Sequence, residues 1–479
     1  MSNEVSLKKK TLIGLMWNAV QRFGAMGIAF LSNLVLVRLL GAEDFAAIGI
    51  LLVFITIAKS LVGGGFSSAL IQRKNVTQVD YSTVFYWNII IAIVMMIVLC
   101  VSAPYIANYF ESPILCPVLR VQSVILLIGA LSDIHTVILS KDMSFKLLSI
   151  RTLIASSVSV IVAIIMAYMG YGIWSLVAQE IVMISMSAIL LWSMNTWRPT
   201  WCFSWKSLKD LFKFGSFILM STICETIMNN ILSLILGKAF SMKDLGYYTQ
   251  AKKLENVPVA TANSVLAQVL YPVYSSISDD YVRMKSVLRR NITVVTYVSF
   301  PVMLLLAILA YPMIMILYTE KWIESVPMFQ ILCIGGMFHT LNVCNTMLFK
   351  ALGKGRIFFI LQTVKRIINL SVILLSIPYG LYVLIWTVAI VQIISYAINL
   401  IYTHIVFKYT YYEQLSDILP NLLLSLLVGV IIWYYINNIN IESNILLIIT
   451  GGMMYMIIYG IFSYLFKMKS FKNLKSLWA

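Results

Sequence analysis

Residues 82–104 read STVFYWNIIIAIVMMIVLCVSAP, an apolar run that contains no charged side chain. A helix that crosses a bilayer needs about 20 largely apolar residues, so this run predicts a membrane-spanning helix. Basic residues, Arg73 and Lys74, stand shortly before it. The same combination of a long apolar run and a short connector recurs along the whole chain, which predicts an all-α integral membrane protein.

The composition agrees with this prediction. Of the 479 residues, 61% are hydrophobic and 11% are charged, and the mean hydropathy is +0.91, which excludes an ordinary soluble globular chain. The net charge of +16 is spread over connectors, so we expect contact with anionic membrane lipid and no nucleic-acid interface. The six cysteines lack CxxC spacing, and we expect neither a disulfide framework, nor a metal site, nor a cofactor.

Fourteen segments are predicted to span the membrane. They lie near residues 12–36, 45–70, 82–104, 115–138, 147–169, 172–194, 212–236, 246–272, 291–317, 326–349, 357–378, 380–405, 417–437 and 443–466. Every second connector is basic, and these connectors hold 26 of the 35 Lys and Arg residues. Because cytoplasmic connectors carry the excess of positive charge, we expect both termini in the cytoplasm. The basic N-terminal stretch lacks a small-residue cleavage site and is interpreted as a retained first helix.

The chain also repeats itself after six predicted helices. Residues 171–177, YGIWSLV, are echoed by residues 379–385, YGLYVLI, and Leu139–Lys141 and Glu43–Phe45 have counterparts near 348–350 and 243–245. An even-numbered repeat has parallel topology, and rocking of its two halves gives alternating access. We therefore predict two six-helix lobes, residues 1–197 and 198–410, followed by two additional helices and a basic cytoplasmic tail in residues 411–479. A cleft between two such lobes suits a carrier better than a pore.

Five basic residues fall inside apolar segments, where a charge costs on the order of 2.5–3.5 kcal/mol. They are Arg22, Lys59, Arg120, Lys252 and Lys253. Helical spacing places Asn18 and Gln21 beside Arg22 and Asn256 beside Lys252, and Asn229 belongs to a polar stripe on the seventh helix. We predict that these four polar residues line a central cavity. A cavity with Arg22, Lys59, Lys252 and Lys253 would favour a multiply charged anion, above all a diphosphate. Glu180, Glu225 and Glu255 are candidates for ion coupling, because the sequence contains no nucleotide-binding domain.

Several of these residues also have structural interpretations. Lys252 and Glu255, three residues apart, could form an ion pair that only holds the helices together. Lys253 or Lys59 could extend towards an interface, and Arg120 is better explained as an interfacial anchor. Asp133 and His135, near the inner end of the fourth helix, could be solvated. Polar stripes at helical spacing are also common contacts between membrane helices.

Two motifs of the first half and three of the second carry a family resemblance: RLLGAEDF (38–45), FSSALIQRK (66–74), LGYYTQAKKL (245–254), VLYPVYSSISDD (269–280) and ALGKGR (351–356). They resemble the Wzx-type polysaccharide and lipopolysaccharide repeat-unit flippases of the multidrug/oligosaccharidyl-lipid/polysaccharide exporter superfamily. The resemblance implies alternating access and transfer of undecaprenyl-diphosphate-linked oligosaccharide across the bacterial inner membrane, for assembly of O-antigen, capsule or exopolysaccharide. It also implies a polysaccharide polymerase and chain-length machinery as partners.

In related lipid II flippases, arginines on the first, second and eighth helices are thought to receive the diphosphate. Arg22, Lys59, Lys252 and Lys253 fall on the matching helices here. Three of the four are lysines, which act as point charges without the bidentate fork of arginine. In those relatives two extra C-terminal helices form a groove for the lipid tail, which is a possible role for residues 417–466.

Two other functions compete with flipping. A multidrug antiporter of the same superfamily would favour an acidic, aromatic-lined cavity, whereas the predicted cavity is net basic. A membrane glycosyltransferase or polymerase would use an acidic pair such as Glu43 and Asp44. That pair stands in a short connector and recurs in part at Asp244, which is typical of helix N-termini. The sequence therefore favours a transporter over an enzyme.

Overall fold

The computed structural model of the protein describes residues 2–353, 355–439 and 443–478. Lys354 and the side chain of Arg356, both in the ALGKGR motif, lie outside the described part, as do the side chains of Lys8–Lys10. The described residues form α1 (Ser2–Leu39), α2 (Ala42–Gly63), α3 (Phe66–Gln72), α4 (Gln78–Tyr109), α5 (Leu115–Gln122), α6 (Val124–Lys141), α7 (Phe145–Tyr168), α8 (Ile173–Met194), α9 (Trp205–Ala239), α10 (Met242–Ser275), α11 (Tyr281–Ile308), α12 (Ala310–Leu317), α13 (Ser325–Ala351), α14 (Gly355–Ser376), α15 (Leu381–Phe407), α16 (Tyr411–Asn438), α17 (Asn444–Leu465) and α18 (Lys469–Trp478). The predicted all-α membrane fold is confirmed.

Among the described residues, 13 helical segments are long and apolar enough to cross a membrane. They match 13 of the fourteen predicted spans. The remaining prediction, residues 246–272, corresponds to α10, which is long enough to cross but carries Lys252, Lys253 and Glu255 in its first half. α10 is therefore the most polar of the predicted spans.

Three predicted spans are interrupted. The segment near 45–70 is two helices, because Gly64 and Gly65 both have positive φ, at +53° and +72°, and end α2 before α3 begins. Glycine populates this region without steric cost. The segment near 115–138 divides at Ser123 into α5 and α6, and the segment near 291–317 divides at Leu309 into α11 and α12.

The repeated sequences occupy equivalent structural positions. Gly172 and Gly380, with φ of +52° and +97°, immediately precede α8 and α15. In both places glycine permits the turn that begins the helix. The other two repeated pairs also occupy equivalent positions. Lys141 lies at the end of α6 and Lys350 lies at the end of α13. The acidic residues near 43–45 and 243–245 lie in the first turns of α2 and α10.

The chain divides into two compact units, residues 1–246 and 247–479. In the first unit, Phe66, Phe85, Val137 and Leu211 join α3, α4, α6 and α9 in one hydrophobic core. In the second, a larger core contains buried side chains of α10, α11, α13, α15 and α16. The predicted lobe boundaries at 197/198 and 410/411 come from the sequence repeat. The division into compact units does not test them, so they stay predictions.

The start of α16 is fixed to α11 by a charged cluster. Asp417 accepts hydrogen bonds from Nε and Nη2 of Arg289, at 2.7 and 3.1 Å, and from the Tyr409 hydroxyl at 2.7 Å. The Asp417 side chain is only 8% exposed. Burial and the neighbouring Asp417 raise the pKa of Tyr409, which therefore keeps its proton and donates it.

Replacing Asp417 by Ala should lower the free energy of unfolding by about 3 kcal/mol, because Arg289 and Tyr409 would lose their shared acceptor in a buried setting. Thermal unfolding of the purified protein in detergent measures the loss. The matched control is Asp279→Ala, at an exposed carboxylate, where we expect a change within about 0.5 kcal/mol. Equal melting temperatures for the two variants would contradict the structural role of Asp417.

Candidate functional site

A charged and polar cluster lies between α1, α6 and α7 of the first unit. Arg151 donates from Nη1 to Thr136 Oγ1 at 3.0 Å and from Nη2 to Thr152 Oγ1 at 3.3 Å. Gln21 on α1 donates from Nε2 to the same Thr152 hydroxyl at 3.1 Å. Ser149 completes the cluster, since its hydroxyl donates to the backbone carbonyl of Trp17 at 2.9 Å. The guanidinium is thus held in a membrane helix mainly by neutral hydroxyls.

Asp133 on α6 is the carboxylate associated with this cluster. Its charge interacts with that of Lys59 on α2 and that of Arg151 on α7. One carboxylate therefore stands against two cations contributed by different helices. Since attraction between charges is much stronger in a low-dielectric setting than in water, the excess positive charge makes this region favourable for an anion.

The predicted polar face of α1 has both buried and exposed members. Gln21 is half-buried in the contact with α7, where its Oε1 lies 3.4 Å from Ser149 Oγ. Asn18 and Arg22 are exposed on the same helix. Lys59 on α2 is exposed as well. The cations Arg22 and Lys59 are thus exposed, whereas Gln21 connects helices.

The predicted residues of α8 and α9 differ in their environment. Glu180 accepts a hydrogen bond of 2.6 Å from Nε2 of Gln122, a fully buried residue of α5. This contact ties α8 to α5. Glu225 and Asn229 are exposed on α9. Glu225 is therefore exposed, whereas Glu180 has a hydrogen-bonded contact with a neighbouring helix.

On α10 of the second unit, Lys252 and Glu255 form the ion pair that their spacing allowed. Lys252 Nζ lies 2.7 Å from Glu255 Oε2, with the lysine side chain 42% exposed and the glutamate side chain 3% exposed. Lys253 and Asn256 are exposed on the same helix. The buried carboxylate anchors Lys252 while leaving its ammonium partly accessible.

Three functional candidates were misjudged from the sequence. Arg151 and Lys365 were given no role in the predicted site, but Arg151 lies inside α7 and contacts α6, and Lys365 is buried in α14, only 8% exposed. His135 was expected to be solvated, but it is fully buried against the rings of Trp192 and Trp197, at centroid distances of 4.8 and 5.3 Å. In the sequence, the helical spacing of residues continues beyond the apolar runs. This is the signal that indicates buried helical positions for these residues.

The acidic turns serve helix ends. The Asp44 carboxylate accepts from the backbone N–H of Gly41 at 3.0 Å, and the Asp244 carboxylate accepts from the N–H and hydroxyl of Ser241 at 3.2 and 2.7 Å. Both occupy the third helical position of a capping arrangement. All six cysteines are free thiols. Within residues 2–353, 355–439 and 443–478, no group of three His, Cys, Asp or Glu residues could hold a metal ion.

Comparison with known proteins agrees with this architecture. The family model described as "Polysaccharide biosynthesis protein" matches residues 35–327, more than half of the chain. The chain is similar to the succinoglycan biosynthesis transport protein ExoT of Rhizobium meliloti, with 25% identity over 72% of this chain and 69% of the relative. It is also similar to the teichuronic acid biosynthesis protein TuaB of Bacillus subtilis, with 24% identity over 89% of each chain.

Among solved structures, the fold matches that of the lipid II flippase MurJ in an inward closed conformation. The TM-score is 0.75 over 94% of this chain and 99% of that chain, at 18% sequence identity. Identity this low supports likeness of fold alone. Together with the 13 apolar helices of the described residues, it identifies the molecule as a multi-pass membrane protein with a transporter fold.

Proposed function

Because this chain belongs to the polysaccharide biosynthesis protein family, we propose that it carries a lipid-diphosphate-linked oligosaccharide across the membrane by alternating access. The transporter fold and the relatives that serve polysaccharide biosynthesis support this function. A transporter needs a polar route through the bilayer, and intramembrane ionisable residues are the usual sign of such a route. The protein acts as a carrier and not as an enzyme.

One observation carries the choice of an anionic solute. In the first unit, Lys59 and Arg151 interact with the single carboxylate of Asp133. A diphosphate offers several charged oxygens that can engage more than one cation at once, and charge-assisted hydrogen bonds are roughly twice as strong as neutral ones. An organic cation would instead be repelled by the excess positive charge. Drug antiport is therefore less well supported than transport of an anion.

The residues divide into three roles. Each unit supplies cations that can engage a diphosphate: Arg22, Lys59 and Arg151 in the first unit, and Lys252 and Lys253 in the second. Asn18, Gln21, Asn229 and Asn256 supply neutral hydrogen-bonding groups to the sugar or to the cations. Glu180, Glu225 and Glu255 are candidates for ion coupling, with Glu225 the most accessible of the three.

Orientation and partners follow from the same function. The basic connectors favour a cytoplasmic location for both termini in a bacterial inner membrane. The solute would then enter from the cytoplasmic leaflet as an undecaprenyl-diphosphate-linked repeat unit and leave towards a polysaccharide polymerase with its chain-length machinery. α16 and α17, beyond the repeat, are a candidate groove for the lipid tail.

Deletion of the gene from its own cell tests the proposal. We expect lipid-diphosphate-linked repeat units to accumulate on the inner leaflet while surface polysaccharide is lost, and the wild-type gene to restore both. Resistance to organic cations conferred on a pump-deficient host, with unchanged surface polysaccharide in the deletion strain, would favour drug antiport instead.

A further inference from the structure

A chain of buried side-chain amides connects two charged sites in the second unit. It begins at Lys365 on α14, whose ammonium donates to Asn399 Oδ1 on α15. Asn399 Nδ2 donates to Asn342 Oδ1 on α13 at 2.8 Å, and Asn342 Nδ2 donates to Gln392 Oε1 on α15 at 3.2 Å. The ring of His339 follows, with Nδ1 3.4 Å from Gln392 Oε1. The chain therefore leads from a buried lysine to a histidine in the middle of α13.

The charge of Lys365 sets the direction of every hydrogen bond in this chain. A lysine ammonium can only donate, so Asn399 must turn its oxygen towards Lys365 and its amide N–H towards Asn342. The same constraint passes to Asn342, which donates to Gln392 Oε1. That oxygen accepts only, so Nδ1 of His339 carries the proton, and Nε2 is left as the acceptor in the neutral ring.

The other side of the ring has an arrangement suited to two protonation states. In the structure, His339 Nε2 lies 3.0 Å from Asn263 Nδ2 on α10, the contact expected for the neutral ring. Asn263 Oδ1 is buried and without a hydrogen-bond partner in the part of the chain that is described. Rotating the amide of Asn263 would bring Oδ1 to Nε2 of His339. Oδ1 would then accept a hydrogen bond from Nε2 when Nε2 carries a proton.

The ring is also within electrostatic reach of the Lys252–Glu255 ion pair. The charged groups that act on His339 are Lys252 and Glu255, both on α10, while α15 faces it with the neutral amide of Gln392. α11 contributes the apolar residues Phe300 and Met303 to the neighbouring part of α13. A proton on the ring would repel Lys252 and attract Glu255, and so change how firmly Lys252 is held by its partner.

We propose that His339 is a proton-binding site of this transporter, with Nε2 as the atom that gains and loses the proton, Asn263 as its two-position partner and Lys365 as the residue that orients the ring. No bond other than N–H forms or breaks, and the proton is exchanged with water. This inference rests on the proposed function, because a proton at His339 is coupled to the diphosphate through Lys252. A proton gradient would then be an energy source for transport, in addition to any ion coupling by Glu180, Glu225 and Glu255.

The first experiment measures protonation without transport. In protein with ¹⁵N-labelled histidine, the three imidazoles are observed by NMR across a pH series, and His339→Gln assigns the signal. We expect the His339 signal to report an Nδ1–H tautomer at high pH and to gain a proton at Nε2 as the pH falls. Asn263→Leu, which removes the acceptor, should shift this titration to lower pH. An Nε2–H tautomer, or a ring that does not titrate, would overturn the proposal.

The second experiment measures coupling in vesicles that contain the purified protein and a polyprenyl-diphosphate oligosaccharide, with a pH gradient of either orientation. One coupled proton changes the accumulation ratio by about tenfold per pH unit. We expect the wild type to respond to one orientation, and H339Q to lose this response while keeping gradient-independent exchange. H404Q is the matched control, since His404 lies on α15 of the same unit, and it should respond as the wild type does.

The variants separate the two claims. A wild type that moves no lipid, yet shows the predicted His339 titration, would remove the proposed function and leave the proton site. A wild type that moves lipid with no response to pH, or an H339Q variant that responds fully, would refute the proton site and leave the flippase. Lys365→Gln should change the pH at which His339 titrates, a readout that a merely structural lysine would not alter.

Discussion

Replacing Arg22, Lys59 and Arg151 together by Gln is expected to reduce transport of the lipid diphosphate to background. Each hydrogen bond to a charged group is worth about 1.5–3 kcal/mol, and loss of about 1.4 kcal/mol is already tenfold in an equilibrium constant. Two of the three, Lys59 and Arg151, are the cations whose charges act on Asp133. Surface polysaccharide in a deletion strain that carries the variant measures the loss.

The controls distinguish an effect of the site on transport from an effect of the net charge of the protein. Lys469, Lys472 and Lys475 on α18 are exposed, so Gln at these three positions removes the same total charge elsewhere and should leave transport near the wild-type level. Lys59→Arg keeps the charge and should retain most activity. Loss of transport in the α18 variant, equal to that in the triple variant, would show that net charge and not the site is responsible.

Alanine at Gly65 should cause a large loss of stability in the first unit. A Cβ at Gly65 would lie 2.1 Å from the carbonyl oxygen of Gly215 on α9, and the backbone there has φ of +72°. A residue other than glycine in this conformation costs on the order of 1–3 kcal/mol, and overpacking typically costs 1–3 kcal/mol more. We therefore expect a loss of about 2–6 kcal/mol, measured by thermal unfolding in detergent.

The neighbouring segment explains why α9 cannot simply move aside. At its first turn, Ser207 donates to Asp80 at the start of α4, and the backbone N–H of Ser204 donates to Thr83 Oγ1 at 3.0 Å. The control is Gly63→Ala, because Gly63 is helical and a Cβ there meets nothing within 4 Å. Alanine is favoured over glycine inside a helix by about 1 kcal/mol. A G65A protein as stable as G63A would contradict the close packing of α3 on α9.

Much of the architecture follows from the distribution of apolar and basic residues. The run at 82–104 became α4, and the echo of Tyr171–Gly172 at Tyr379–Gly380 marks two equivalent helix starts. Hydropathy cannot show breaks inside an apolar run, so the division at Gly64–Gly65 was missed. It also cannot show that Arg151, inside the predicted span 147–169, donates to Thr136 on another helix.

The site was predicted less completely than the fold, for a physical reason. The pairing of Lys252 with Glu255 is local, and spacing along one helix was sufficient to foresee it. The contacts of Arg151, Lys365 and His339 join helices that are distant in sequence, and one sequence carries no information on which faces meet. A lone histidine in the middle of an apolar helix gives no signal of the amide chain that ends on it.

The most direct measurement is translocation of a fluorescent polyprenyl-diphosphate oligosaccharide in vesicles that contain only the purified protein. We predict rapid movement between leaflets with the wild type, much slower movement of the corresponding neutral polyprenyl glycoside, and none of the diphosphate with R22Q/K59Q/R151Q. Equal rates for the two lipids, or a wild-type rate with the triple variant, would contradict the claim that cations within the membrane carry an anionic lipid headgroup across.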